Sequence, residues 1–290
     1  MLKKILKWTG IVLSCLIIIA IILYAVIYVS TSSRVNKVYT VNAQTLNIPG
    51  DSASFDRGKH IAENRGCLGC HGDNLAGGRV FLDEQSPLGV LSASNITGGR
   101  GGIHYSDADW LRVLRHGVNQ QNKSVWFMPS QEVCQLSNSE MSDLISFVKN
   151  HPPVDNEIPQ KSIKPLGRIL VFLNKIPLLP AEMIDHNFTY KETVTPSVTA
   201  EYGSYLATSC KGCHGEQFKG APSHGDNEPD IPNISATSEV SKWKDADFVT
   251  LMHTGKTPGG KQLSDAMPYK MFTYTDDELK AIHLYLQSMK

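Results

Sequence analysis

Two short stretches carry the side chains best suited to chemistry. Cys67-Leu68-Gly69-Cys70-His71 and Cys210-Lys211-Gly212-Cys213-His214 each set two thiols three residues apart, with an imidazole directly after the second. Three chemistries use such a set: a zinc site, a dithiol redox centre, and covalent attachment of a porphyrin. Zinc needs four ligands, and joining the two phrases across 143 residues leaves His71 and His214 without purpose. A thioredoxin-like dithiol wants a strand–helix setting, whereas the surroundings of Gly69 and Gly212 read as helical. Attachment uses every residue. The thiols reach the two vinyl groups along one porphyrin edge, and the histidine lies beneath the iron as an axial nitrogen donor. The phrases therefore predict two covalently bound haem c groups, at Cys67, Cys70 and His71 and at Cys210, Cys213 and His214.

The other axial position separates carriers from catalysts, because a methionine there raises the potential and keeps the iron six-coordinate. Met128-Pro129 and Met267-Pro268 lie 57 and 53 residues after their histidines, in loops before a final helix. The following proline keeps each methionine extended. Met128 and Met267 are thus the expected iron ligands, with Met271 the competitor in the second half; Met141, Met183 and Met252 read as packing.

The elements that position these residues also come twice. "NIT" at Asn95 matches "NIS" at Asn233, "YSDADW" from Tyr105 matches "WKDADF" from Trp243, and Gly117 matches Gly255, all at an offset of 138 to 143 residues. A constant offset means two copies of one unit. In each copy a first helix leads into the cysteine phrase, bearing Phe55, Ile61 and Ala62 or Tyr202, Tyr205 and Leu206. A middle helix starts near Asp107 or Asp245. A last helix carries Met141, Leu144, Ile145 and Val148 or Leu279, Ile282 and Leu286, opened by the capping-box pairs Ser137…Glu140 and Thr275…Glu278. No alternating strand pattern appears, so the expectation is all-α.

Charge and cysteine usage exclude other classes. The formal net charge is zero, with no basic field for nucleic acid. Four of the six cysteines sit in the two phrases, leaving Cys15 and Cys134, so this is no disulfide scaffold. Lys3, Lys4 and Lys7 precede an uncharged apolar run from Trp8 to Val29, long enough to span a bilayer. With no A-x-A pattern after it, it reads as an uncleaved anchor with the N-terminus in the cytoplasm. Residues 152–199 hold seven of the fifteen prolines and the apolar stretch Leu166–Pro180, which predicts a strap packed on one or both halves.

"GKHIAENRGCLGCHG", "FMPS", "AMPYKMF" and the connector "PPVDNEIP" resemble the membrane-bound dihaem members of the bacterial class I cytochromes c. The pattern is also similar to cytochrome subunits of membrane alcohol and gluconate dehydrogenases, which typically carry three haems where this chain has two phrases. The resemblance implies two tandem class I cytochrome c domains behind one N-terminal transmembrane helix. The expected division is an anchor at 1–33, an extended connector at 34–50, a first domain at 51–151, a Pro-rich packed linker at 152–199 and a second domain at 200–290. His71 and His214 would be proximal ligands, Met128 and Met267 distal. The implied role is a relay of single electrons on the periplasmic side of the inner membrane. Electrons would pass between a dehydrogenase or quinol-oxidising complex and an oxidase or soluble cytochrome. The alternative is a dihaem redox enzyme such as a peroxidase or thiosulfate dehydrogenase, which needs an open or differently ligated iron; both copies keep their methionine. No residue is assigned as catalytic.

Other residues read more plainly. Tyr105, Trp110, Trp243 and Phe248 are expected as core or helix-entry aromatics, with a haem-wall contact the lesser reading. Arg79 and Arg100 are available to propionates without needing that role, Asn95 and Asn233 are turn residues, and Cys134 is a buried thiol. His60, His104, His116, His253 and His283 share no ligand pattern and read as surface or helix-end histidines.

Overall fold

A computed structural model describes residues 1–41, 45–223 and 229–289. Residues 42–44 of the expected connector, and 224–228 and Lys290 of the expected second domain, lie outside the described residues.

Helix α1, Leu2–Val35, runs through the apolar stretch; among the described residues it alone is long and apolar enough to cross a bilayer. The first half then contains α2 (Ser52–Asn64), α3 (Cys67–His71), α4 (Asp107–His116), α5 (Ser130–Val133) and α6 (Asn138–Lys149). An eight-residue helix, α7 (Pro165–Phe172), lies in the strap. The second half repeats the plan with α8 (Ala200–Leu206), α9 (Thr208–His214), α10 (Asp245–Thr254) and α11 (Asp276–Ser288). The helix starts follow the sequence signals. Ser137 with Glu140 and Thr275 with Glu278 form reciprocal capping boxes at α6 and α11, and Ser106 with Asp109 forms another at α4.

In each half the first helix crosses the last, and one glycine permits the approach. A Cβ on Gly58 would collide with the Asp143 carbonyl of α6, and one on Gly203 with the Ala281 carbonyl of α11. Around these crossings lie two separate apolar cores. One gathers Ala62, Trp110, Leu114, Met141, Leu144 and Ile145. The other gathers Tyr202, Leu206, Phe218, Phe248, Ile282 and Leu286.

The all-α expectation needs correction. Strands β1 (Val80–Leu82), β2 (Gly89–Ser92) and β3 (Ser162–Ile163) form an antiparallel sheet in that order. Strand β3 belongs to the strap, which packs chiefly on the first half. Asn95 Nδ2 donates to the Val154 carbonyl at 2.8 Å and Asn156 Nδ2 to the Ala76 carbonyl at 2.9 Å. Further on, the Asn138 and Ser139 amides at the head of α6 donate to the Lys191 and Glu192 carbonyls.

The strap also grips the end of α1. Arg168 donates to the Thr31 and Ser32 hydroxyls, both at 3.0 Å, and lies over the Tyr28 ring. Arg34 pairs with Glu182 at 2.6 Å. Beyond α1, Tyr39 is buried with Val118 and Ala181.

The two halves meet through their first helices. The His60 Nε2–H donates to Glu278 at 3.0 Å, while Tyr205 places its hydroxyl on Glu140 and accepts from the Ser137 amide at 2.8 Å. Each capping-box glutamate is thus bound by the opposite half. Arg65 donates to the Tyr205 carbonyl, and the Tyr274 hydroxyl to the Asn64 carbonyl at 3.2 Å.

Candidate haem sites

Each cysteine phrase folds as a short helix ended by a glycine at positive φ, α3 at Gly72 and α9 at Gly215. Helical spacing puts residues three and four apart on one face, so both thiols and the imidazole that follows project to the same side. Cys67 and Cys210 each pack against the core of their own half. Burial pushes both thiols up to about 12, so they are protonated rather than activated as redox thiolates.

The imidazoles are held alike. His71 Nδ1 lies 2.8 Å from the Ser94 carbonyl, and His214 Nδ1 lies 2.9 Å from the Pro232 carbonyl. A carbonyl can only accept, so Nδ1 carries the proton and Nε2 keeps its lone pair for a metal. Burial lowers both imidazoles below the ordinary histidine value, the sense that favours the neutral ligand form.

Sequence reasoning missed these carbonyls, although their signal was present in the matched "NIT" and "NIS". Ser94 and Pro232 directly precede the two asparagines. Asn95 Oδ1 accepts from the Thr97 amide and hydroxyl, and Asn233 Oδ1 accepts from those of Ser235. The asparagines are turn residues, as expected, and the turn aims the carbonyl ahead of each at the histidine.

The methionine loops match as well. Pro129 has φ −78 and ψ 59, Pro268 has φ −79 and ψ 50. The Met128 and Met267 carbonyls accept from the Ser130 and Tyr269 amides, each at 2.8 Å. Met128 packs against the first core, as does Cys67, whereas Met267 is half-buried on its loop. Met271, the competitor in the second half, lies instead against Gly69 of the first phrase.

Other expectations resolve variously. Cys134 is buried in the turn after α5. Arg79 donates to the Gly69 carbonyl at 2.8 Å, and exposed Arg100 faces Asp155 and Glu157. Tyr105 meets Trp110 edge-on in the first core, and Phe248 is buried against His283. Two histidines are buried, although His116, the last residue of α4, does stand at a helix end as expected. His283 is fully buried between Asp245, at 2.7 Å, and the Val240 carbonyl. His116 is buried beside His186, and burial lowers it to about 4. Their partners lie tens of residues away, where local pattern does not reach.

Two thiols on one helix face, an imidazole with only Nε2 free and a matched methionine loop are the donors that haem c uses. The cytochrome c family model matches residues 55–152 and 200–290. This chain belongs to the cytochrome c family. Members of that family bind haem c covalently, and the donor set of this cytochrome fits it. Its similarity extends to the cytochrome c subunit of the quinone alcohol dehydrogenase of Gluconobacter oxydans, 27% identical over 82% of this chain and 55% of that subunit. The corresponding subunits of Gluconacetobacter polyoxogenes and Komagataeibacter europaeus are each 26% identical over 86% of this chain and 58% of theirs. The chain thus spans little more than half the length of these relatives.

Proposed function

We propose that this protein is a membrane-anchored dihaem electron carrier that accepts single electrons from a dehydrogenase and passes them on without binding a substrate. The observation that carries the reading is the duplication of one complete donor set: two thiols, an imidazole locked through Nδ1, and a methionine before a proline of the same backbone geometry. The similarity to quinone alcohol dehydrogenase cytochrome subunits supports a dehydrogenase as donor. A quinol-oxidising complex remains the other donor, and an oxidase or soluble cytochrome the acceptor. The lysines ahead of the apolar run support a cytoplasmic N-terminus, which puts both halves on the periplasmic side of the inner membrane.

Bound haem supplies the one-electron ferric/ferrous couple. The chain's residues do the rest. The Ser94 and Pro232 carbonyls fix the imidazole tautomers, Met128 and Met267 present soft sulfurs that raise the potential, and the two cores exclude water from one side of each phrase. With Met128 and Met267 as donors, neither site would keep an open position for a substrate.

Absorption and near-infrared spectra of the purified protein test this, together with haem quantitation and carbon monoxide addition. Two covalent low-spin haems per chain, a methionine-to-iron band and no carbon monoxide binding are expected. A high-spin haem that takes carbon monoxide would instead indicate catalysis at an open iron. Met128→His is expected to lower one midpoint potential while the haem stays attached; an unchanged potential would remove Met128 as ligand.

A further inference from the structure

Glu132 and Met271 occupy the same place in the two halves, each the fourth residue after the methionine of its Met-Pro pair. Each side chain crosses to the opposite half. A Cβ on Gly69 would lie 2.9 Å from Met271 Cε and 3.7 Å from its Sδ. A Cβ on Gly212 would lie 2.8 Å from Glu132 Oε1 and 3.6 Å from Oε2. Both glycines sit between the two cysteines of their phrase. The first phrase is therefore covered by a neutral thioether and the second by a carboxylate.

The surrounding charges deepen this asymmetry. Among the described residues the Glu132 carboxylate makes no hydrogen bond or ion pair; Arg65 and Glu216 are the charged groups that act on it. Arg65 acts on both Cys67 and Cys210. Glu132 is felt at both phrases, but at Cys70 the larger influence of Arg79 opposes it, while at Cys213 Glu132 is the leading charge and the phrase's own Lys211 is paired with Glu216 at 3.0 Å. Lys161 adds a cation beside His71, its Nζ donating to the Ser94 hydroxyl at 3.1 Å. Pro232, which stands where Ser94 does, offers no hydroxyl for such a contact.

We propose that Glu132 is a potential-setting residue for the opposite half. Its carboxylate favours the more positive, oxidised state of the iron at His214 and makes that site the lower-potential member of the pair. Charge near the site and the groups around its ligands are established levers on haem potential. The proposal rests on the two-haem reading above.

Glu132→Gln removes the charge and keeps the shape; Met271→Glu adds the same charge over the first phrase. Haem content per chain is measured first, then both midpoints by spectroelectrochemical titration of the full-length protein in detergent. Glu132→Gln is expected to raise the lower midpoint by about 59 mV, a tenfold change in that site's one-electron equilibrium, with a smaller effect on the upper. Met271→Glu is expected to lower the upper midpoint by a similar amount. Two haems per chain with both midpoints unmoved in Glu132→Gln would overturn the proposal. If Glu132→Gln does not fold, an unmoved upper midpoint in Met271→Glu does the same. One haem per chain would defeat the two-haem reading itself, and this proposal with it.

Discussion

Arg115 shows how much of a site is built by a residue that does no chemistry in it. The side chain is 1% exposed. It donates to the Cys134, Leu136 and Ser137 carbonyls and to Asn138 Oδ1, with its guanidinium 3.7 Å from the Tyr190 ring centre. These acceptors line the turn between α5 and α6, so α4 ties down the segment that follows the methionine loop and α5. Desolvation lowers the guanidinium to about 10, still charged at neutral pH. Charged hydrogen bonds stabilise more than neutral ones, and orphaned buried carbonyls are costly. Arg115→Ala is therefore expected to lower stability by about 3 kcal/mol, read by denaturant unfolding, with the first half's methionine band weakened before global unfolding. A loss under about 0.5 kcal/mol, the size of an ordinary surface change, would show that other contacts hold the loop. In the second half this position is His253, exposed and bonded to Asp276 at 2.9 Å, so the repeat does not reveal Arg115.

At the scale of elements, the helix crossings decide each half. Gly203 allows α8 to lie against the Ala281 carbonyl, and a larger side chain must push the helices apart. Gly203→Val is expected to destabilise the second half by about 1–3 kcal/mol, seen as an earlier unfolding step followed at that half's haem band. A single transition at the wild-type midpoint would argue against so tight a crossing. The sequence made the last helices legible because their caps and apolar faces are local: Ser137 with Glu140, Thr275 with Glu278, and residues at helical spacing. The phrases and methionine loops were legible for the same reason. The sheet was not, since strands of three, four and two residues are too short for alternation to register, and β3 arrives some 70 residues after β2. Gly58 and Gly203 were equally hidden, because a glycine in a helical stretch shows its purpose only once the partner backbone is in place.

In the whole molecule, the interface between the halves has a pH window. The hydrogen bond to Glu278 raises His60 above its ordinary value, against the cost of burial. Burial raises Glu278, but the bond from His60 and the Thr275 cap outweigh it and leave the carboxyl lowered. A raised histidine contributes fully below its unfolded value of about 6.5 and loses that contribution as pH rises through its folded value. A lowered glutamate contributes above about 4.3 and loses it as pH falls through its folded value. Both hold between about pH 4.5 and 6.5. The melting temperature of the wild type minus that of Glu278→Gln is expected to peak near pH 5.5 and shrink above neutrality; equal differences at pH 5.5 and 8.5 would contradict this. The other whole-molecule feature lies at the base of α1. Arg168 on Thr31 and Ser32, Arg34 on Glu182, and Tyr39 buried against Val118 and Ala181 fasten the base of the apolar helix to the strap and the first half. With that helix in a bilayer, the first half is a fixture of constant height rather than a buoy on a tether. On the proposed carrier reading, a redox partner meets it in the plane of the membrane or lands on its outward side, and is not fetched by the reach of a flexible chain.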